Sequence, residues 1–207
     1  MKQYPSIPQS PPKSKHLQDY AYGFDKLDGS NIRAEMHAGR FVRYGSRNRL
    51  LEADHPHLGA AIELIRTRYE AGLAAIMEQL RAKEFTAFFE FYGPRSFAGT
   101  HEPDDPKEVV LFDLDVRRRG LLPPDEFLAL CGHLKIPRLL HAGPVTPELI
   151  DSIRSDTLPG IAEGVIFKGR AGKQGGKTVM WKVKTRRWLE RLKDHCAGDE
   201  QLFEKLR

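Results

Sequence analysis

The sequence predicts an α+β fold in which mainly antiparallel strands alternate with helices. Short apolar-rich runs with strand composition recur along the chain, several of them next to Gly, Pro, Asp or Asn. One long segment instead repeats apolar residues at three- and four-residue steps, which is the period of a helix. Charged residues also stand inside apolar strand patterns, where burying them is costly unless they have a partner or a function.

The N-terminal third predicts a lead-in, three strands and a helix. The first fifteen residues are polar and contain four prolines, so they predict an extended segment. Apolar runs at 20–24 and 32–36 flank Asp28-Gly29-Ser30-Asn31, whose turn chemistry predicts strand, turn and strand. Residues 40–44 predict a third strand, and 56–83 the longest helix.

The remaining elements follow from the same patterns. Strands are predicted at 85–92, 108–116, 162–168 and 178–184, and helices at 124–133, 147–156, 186–195 and 199–206. A loop rich in Gly, Pro and Asp follows the first of these strands, and a Gly-rich link at 169–176 predicts a hairpin connection. We therefore expect a lead-in at 1–16, one main domain at 17–185 and a short helical segment at 186–207.

Composition narrows the class of protein. The 207 residues are 40% hydrophobic and 29% charged, which suits one domain with a small appendage. A net charge of +5 fits a polyanionic partner such as ATP or nucleic acid, although many ordinary enzymes are as basic. Cys131 and Cys196 are far apart, which argues against a disulfide framework and a zinc cluster. No run reaches the ~18 apolar residues of a membrane span, so we expect a soluble, intracellular (cytoplasmic) protein.

The first chemical signal is Lys26-Leu27-Asp28-Gly29, at the end of the first apolar run. Strand alternation places Lys26 and Asp28 on one face, and Gly29 permits a tight turn beside whatever that face binds. Four residues with one wildcard recur by chance, so this motif alone is a weak indication.

Five further polar signatures occur downstream, each at or near a predicted strand. They are Ser46-Arg47, Glu90-Phe91-Tyr92-Gly93, Phe112-Asp113, Glu163-Gly164-Val165-Ile166-Phe167-Lys168 and Lys182-Val183-Lys184. Their order and spacing, across about three quarters of the chain, make a far stronger signal than any one of them.

With these motifs the sequence resembles the covalent nucleotidyltransferases, the superfamily of DNA ligases, RNA ligases and mRNA capping enzymes. It is most similar to ATP-dependent RNA ligases of the RNA ligase 2 type. The resemblance implies the nucleotidyltransferase (ATP-grasp-like) domain of ligases and a polynucleotide ligase that carries AMP on Lys26. It also implies ATP and Mg²⁺ or Mn²⁺ as cofactors, and nucleic acid as the partner.

The resemblance gives three lysines a role in the reaction with ATP, one as the nucleophile and two at the α-phosphate. Lys26 must reach the α-phosphate as a neutral amine, although a free lysine has a pKa near ~10.4. Lys182 and Lys184 match the family's paired lysines at the α-phosphate, and their two-residue spacing lets both face one site. Together with a metal ion they are expected to lower the pKa of Lys26 and to neutralise charge on the transferring group.

The resemblance also implies roles for acidic and aromatic residues. Glu163 would hold a divalent metal ion, and Glu90 would bind the ribose hydroxyls or join the metal site. Asp113 is a second candidate acid there, and Asp28 belongs to the nucleotide site. Phe112 would stack on adenine, although it could equally be a core residue.

A basic residue completes the predicted site. Arg47 matches the arginine that touches the ribose or a 5′-phosphate, with Arg43 as a competitor and a solvated loop charge as the alternative. Asn31 and Arg33, which follow Lys26 closely, are lower-ranked candidates for the same site.

Two departures from the family pattern leave alternatives open. Only 23 residues follow Lys184, too few for the OB-fold of capping enzymes and DNA ligases, and a protein partner could replace a larger C-terminal domain. Asp28 stands where the nearest RNA ligases often have His, so DNA or hybrid substrates stay possible. The alternative functions are a GTP-dependent capping guanylyltransferase and a non-catalytic nucleotide- or nucleic-acid-binding relative.

Overall fold

The computed structural model describes residues 1–9, 20–93, 106–170 and 178–207. The strands are β1 (Tyr20–Lys26), β2 (Ser30–His37), β3 (Arg40–Ser46), β4 (Glu84–Tyr92), β5 (Glu108–Val116), β6 (Gly120–Leu121), β7 (Leu139–Pro144), β8 (Gly164–Arg170) and β9 (Thr178–Lys184). The helices are α1 (Gly59–Gln79), α2 (Pro124–Cys131), α3 (Pro147–Arg154), α4 (Arg186–Cys196) and α5 (Glu200–Leu206).

The described strands form two sheets. A four-stranded sheet has the order β7-β1-β8-β9, and a five-stranded sheet has the order β3-β2-β4-β5-β6. Every pair of named strands in both sheets is antiparallel. The predicted α+β class with mainly antiparallel pairing is therefore confirmed.

The larger core lies between α1 and one face of the five-stranded sheet. The helix buries Ile65, Tyr69 and Leu73 against strand residues such as Ile32 and Phe89. The alternating residues on the opposite face of this sheet stay available for a site, because period-2 alternation separates the two sets of side chains.

A second core supports the four-stranded sheet. Ile150 and Ile153 of α3 pack with Val165, Phe167 and Trp181 of the central and edge strands. Residues that alternate with these in β8 and β9, among them the two C-terminal lysines of β9, project from the other face.

The first two predicted strands are present, but they do not pair with each other. β1 belongs to the four-stranded sheet and β2 to the five-stranded sheet, so Leu27-Asp28-Gly29 crosses between sheets instead of closing a hairpin. A Cβ added at Gly29 would lie 2.5 Å from the carbonyl oxygen of Phe91, so only glycine permits this close crossing. Lys26 is accordingly the last residue of its strand and stands where the two sheets meet.

Other differences are confined to element ends and two missed strands. Helix α1 begins at Gly59 rather than Pro56, and its N-cap residue Leu58 makes no side-chain capping bond. β6 is only two residues long, and β7 contains Gly and Pro within six residues, so neither presents an alternating pattern that a sequence window could detect.

Parts of three predicted segments lie outside the described residues: 10–16 of the lead-in, 94–105 of the loop after β4, and 171–176 of the Gly-rich link. Among the described residues, no helix combines the length and the apolar character needed to span a bilayer.

Candidate active site

Three strand ends bring Lys26, Glu163 and Lys184 together. In the register of the four-stranded sheet, Gly164 of β8 lies opposite both Lys26 of β1 and Lys184 of β9. Lys26 Nζ donates to Glu163 Oε2 at 2.6 Å, and Lys184 Nζ lies 2.8 Å from Glu163 Oε1. We call these three residues the shared-carboxylate cluster, because one carboxylate binds two ammonium groups.

Lys26 is the member of this cluster that reaches solvent. Its side chain is 21% exposed, whereas those of Glu163 and Lys184 are 3% exposed. Burial lowers the pKa of Lys26, but the carboxylates of Glu163, Glu90 and Asp28 outweigh it, so the pKa is raised. In the nucleotide-free chain Lys26 is therefore an ammonium group, and the lower pKa expected with a metal ion bound stays a prediction.

The two lysines of β9 have lowered pKa values. Burial is the main cause for Lys184, whose pKa falls to about 8 despite the carboxylate of Glu163, and its Nζ lies 3.5 Å from the ring centroid of Trp188. Burial and the positive charge of Lys26 lower the pKa of Lys182, whose Nζ donates to the backbone oxygen of Arg207 at 2.9 Å. Both lysines belong to one face of the strand, as their spacing predicts.

Glu90 adds a further carboxyl group to the surroundings of Lys26. Burial raises its pKa to about 8; Lys26 acts against this shift, and the nearby charges of Glu163 and Asp28 add to it. Carboxyl groups that lie this close together are a setting that a divalent cation stabilises, since the cation offsets the repulsion between their charges. Glu90 and Glu163 thus have suitable chemistry for Mg²⁺ or Mn²⁺, although no preassembled group of three or more His, Cys, Asp or Glu ligands occurs in the described ranges.

Phe112 and Asp113 form a second part of the site on the five-stranded sheet. Phe88 of β4 pairs with Asp113, and Phe89 pairs with Leu111, so Phe112 is the extra residue of a β-bulge. Bulges re-aim side chains, and here the half-buried Phe112 ring lies on the face away from α1.

The Phe112–Asp113 step is held by a buried hydrogen-bond network. Lys168 Nζ donates to the Phe112 carbonyl oxygen at 2.7 Å and to Asp113 Oδ2 at 2.8 Å. The hydroxyl of Tyr4 donates to the same Asp113 oxygen at 2.6 Å. We call Tyr4, Asp113 and Lys168 the Tyr4 network. Asp113 is thus bound within this network and not to the shared-carboxylate cluster, and its role at a metal stays a prediction.

The other predicted residues occupy the same face of the five-stranded sheet or its rim. Arg47, just after β3, donates to Ser6 Oγ at 3.0 Å. Asn31 lies opposite Glu90 in the β2–β4 register, and its buried Oδ1 accepts no hydrogen bond from the described residues. Arg33 is buried and donates to the carbonyl oxygen of Ser46 at 2.8 Å.

Sequence reasoning assigned no role to two residues that the structure brings into the site. Lys168 is the last residue of the Glu163–Lys168 motif. A lysine inside this apolar strand pattern was the sequence signal that could have indicated a role. Tyr4 stands in a polar, Pro-rich segment, and nothing in that local pattern indicates where it docks.

Lys26 thus lies at the junction of the two sheets, with β8 between it and the lysine pair of β9, an arrangement that fits the covalent nucleotidyltransferases. The model of the RNA ligase family matches residues 21–184, and the chain belongs to that family. A comparison with curated proteins finds no significant match.

Solved structures of the Naegleria gruberi RNA ligase share the fold. A mutant with ATP and Mn superposes with a TM-score of 0.64 at 19% identity, covering 87% of this chain and 53% of that one. The enzyme with PPi gives 0.64 at 21% identity over 87% and 53%. A mutant with AMP and Mn gives 0.68 at 20% identity over 94% and 59%. The chain thus spans between half and three fifths of the length of these chains.

Proposed function

We propose that this protein is an ATP-dependent RNA ligase that first forms a covalent lysyl-AMP intermediate on Lys26. The observation that carries the proposal is the shared-carboxylate cluster, which holds Lys26 at the sheet junction with Lys184 across one carboxylate. Family membership supports it, as do the ATP, AMP and Mn bound by the similar Naegleria gruberi enzyme.

In the first step Lys26 Nζ forms a bond to the α-phosphorus of ATP while the bond to pyrophosphate breaks. Lys26 must lose a proton before it can attack, because its pKa is raised in the nucleotide-free protein. The Glu163 oxygen 2.6 Å away is placed to receive that proton. A divalent cation at the carboxylates would supply positive charge that favours the neutral amine.

The lysines of β9 supply charge to the reacting phosphate. Lys184 is cationic below its pKa of about 8, and a bound phosphate would keep it protonated above that value. Its buried position fixes the ammonium group before ATP arrives, so little reorganisation is needed as charge builds up on the α-phosphate. Lys182, two residues earlier on the same face, extends this positive surface.

The remaining contacts follow the predicted roles. Phe112 would stack on adenine, Glu90 would bind the ribose hydroxyls or the metal with Glu163, and Arg47 would contact the ribose or the 5′-phosphate. Asp28 is buried close enough to Lys26 and Glu90 to affect both pKa values, which supports its assignment to the nucleotide site.

In the later steps AMP passes to a 5′-phosphate, and a 3′-hydroxyl then displaces AMP to form the phosphodiester. RNA is the proposed substrate, with DNA and hybrid ends as the variants to compare on a panel of adenylylated nicks with ribose or deoxyribose at the 3′ side. A cytoplasmic location and a protein partner that assists substrate binding belong to the same proposal.

Labelling with α-radiolabelled ATP and Mg²⁺ or Mn²⁺ tests the first step. The protein is first treated with pyrophosphate to remove any AMP already bound, and label that survives denaturation is then measured. Label from ATP is the expected result, and no label in the wild-type protein would contradict the proposal. Label from GTP but not from ATP would favour the capping reaction, and tight ATP binding without label would favour a non-catalytic relative.

A further inference from the structure

The N-terminal segment, residues 1–9, crosses between the two sheets beside the proposed nucleotide site. Lys2 Nζ lies 2.5 Å from Asp115 Oδ2 on the five-stranded sheet. Seven residues later, Gln9 bridges to Lys182 on the four-stranded sheet, where the Lys182 amide donates to the Pro8 carbonyl oxygen at 2.9 Å. The segment is therefore anchored on both sides.

Tyr4 lies between these anchors in the chain and contacts the predicted adenine-binding ring directly. Its ring centroid is 4.9 Å from that of Phe112 with an interplanar angle of 87°, and 4.9 Å from that of Phe88 at 63°. Such edge-to-face contacts restrict the orientation of both rings. The Tyr4 ring thus packs against one side of the Phe112 ring.

Tyr4 also holds the backbone step that carries this ring. Asp113 is 2% exposed and Lys168 5% exposed, and the Tyr4 hydroxyl is the second donor to the Asp113 carboxylate. A buried carboxylate that loses a donor keeps an uncompensated polar oxygen, and the side chain must move to regain a partner. Because Asp113 and Phe112 are adjacent in a β-bulge, that movement would displace the ring.

We propose that Tyr4 is a positioning residue for Phe112, which makes the N-terminal segment part of the adenine site of the enzyme. This inference rests on the proposed function, since it takes Phe112 as the base-stacking ring. Tyr4 acts on ATP through Phe112 and Asp113, so its removal should weaken recognition of the base and leave phosphate chemistry nearly unchanged.

The test is the ATP dependence of lysyl-AMP formation in the full chain for wild type, Tyr4→Phe and Tyr4→Ala. Tyr4→Phe keeps the ring and removes the hydroxyl, and about a threefold to tenfold rise in KM for ATP is expected, with kcat changed by less than about twofold. Tyr4→Ala also removes the ring, so a larger rise is expected. Tyr20→Phe is the matched control, because Tyr20 is 56% exposed, and its KM should equal that of wild type.

Base discrimination separates positioning from a general loss of structure. The ratio of kcat/KM for ATP to that for GTP should fall in both Tyr4 variants, because the two nucleotides share phosphates and ribose and differ in the base. A partly unfolded variant would lose activity with both nucleotides equally. If Tyr4→Ala has no folding transition on heating, Tyr4→Phe alone decides the result.

Unchanged KM and unchanged base discrimination in Tyr4→Phe and in folded Tyr4→Ala would overturn the inference. A lower KM for ATP would overturn it as well, since it would mean that the segment occupies the base site and competes with ATP. Absence of label in wild type would instead refute the proposed function, and equilibrium binding of ATP to wild type and Tyr4→Phe would then still measure whether Tyr4 positions the ring.

Discussion

The site contains two lysine–carboxylate groups that differ in how their charges are balanced. In the shared-carboxylate cluster Glu163 lies between two lysines, one of which reaches solvent, and further carboxyl groups stand nearby. In the Tyr4 network Asp113 is shared by one lysine and one neutral hydroxyl, and both charged members are almost fully buried.

This difference in charge balance suggests that the shared-carboxylate cluster takes part in the chemistry and that the Tyr4 network positions other residues. The pKa values around the shared-carboxylate cluster are displaced in opposite directions: that of Lys26 is raised and that of Lys184 is lowered to about 8. Such a cluster responds strongly to an added cation or phosphate. In the Tyr4 network, Lys168 pairs with Asp113 and also donates to the backbone carbonyl oxygen of Phe112. The network therefore acts as a rigid support for the Phe112–Asp113 step. Substitutions in the first group should therefore reduce rates, and those in the second should reduce stability and nucleotide affinity.

The largest effect is expected from Lys26→Arg, which should reduce lysyl-AMP formation to background. Arginine keeps the positive charge beside Glu163 but stays protonated, so it cannot act as the nucleophile. Denaturation-stable label measures the effect, and the thermal midpoint should stay close to that of wild type. Label retained at wild-type levels would place the nucleophile elsewhere.

Glu163→Gln should slow lysyl-AMP formation about a hundredfold, because the amide neither accepts the proton from Lys26 nor holds a cation near the phosphate. Single-turnover rates at saturating ATP give this number. Glu190→Gln serves as the control, since that glutamate is 67% exposed on α4 and should have no effect. A loss confined to KM would contradict the chemical role of Glu163.

Asp113→Asn should reduce stability more than the reaction rate. We expect it to destabilise the fold by about 3 kcal/mol, because it leaves the buried ammonium of Lys168 without its counter-charge. Denaturant titration measures the loss of unfolding free energy. Asp151→Asn is the control, because the side chain of Asp151 is 75% exposed. A stable Asp113→Asn protein with a rate as low as that of Glu163→Gln would remove the distinction between the two groups.

The smallest effect concerns pH. Glu90 has a pKa of about 8 in the nucleotide-free protein, so its carboxyl group is mostly protonated at neutral pH and ionises as the pH rises. We expect kcat/KM for ATP to increase between about pH 7 and pH 8 as Glu90 ionises, and to stop rising above that, because Lys184, with a pKa of about 8, then loses its charge in the nucleotide-free protein. Raising the Mn²⁺ concentration should move this rise to lower pH, because the metal ion competes with the proton.

The control for this prediction is Glu90→Gln, which has no proton to exchange at that position. Its kcat/KM should be lower, and the position of its pH profile should not depend on Mn²⁺. A metal-independent profile in the wild-type protein would show that Glu90 does not face the metal.

Local patterns predicted most strands and helices, and the motif residues lie on the strands or strand ends where alternation indicated them. β5 and β9 have the predicted bounds because their apolar runs are long and end at charged residues. The pairing of β1 could not be predicted from its turn, because Asp28-Gly29 fits a hairpin and a crossing between sheets equally well. Pairing partners distant in sequence, such as β7 and β8, decide which of the two forms.

Two features of the site were beyond sequence reasoning for a related reason. The sequence shows which charged residues exist but not their distances, so it could not show that carboxylates outweigh burial at Lys26. The docking of Tyr4 on Asp113 joins residues 109 positions apart, and a polar, Pro-rich segment contains no periodic signal for such a contact.

The most direct test of the central claim is to locate the adenylate on the wild-type chain. Pyrophosphate-treated protein is incubated with ATP and Mn²⁺, its intact mass is measured, and peptides are then fragmented under conditions that preserve the phosphoramidate. We expect a single added adenylate group, carried by the Nζ of Lys26. An adenylate on Lys182, Lys184 or any other residue, or no mass increase with ATP, would contradict it.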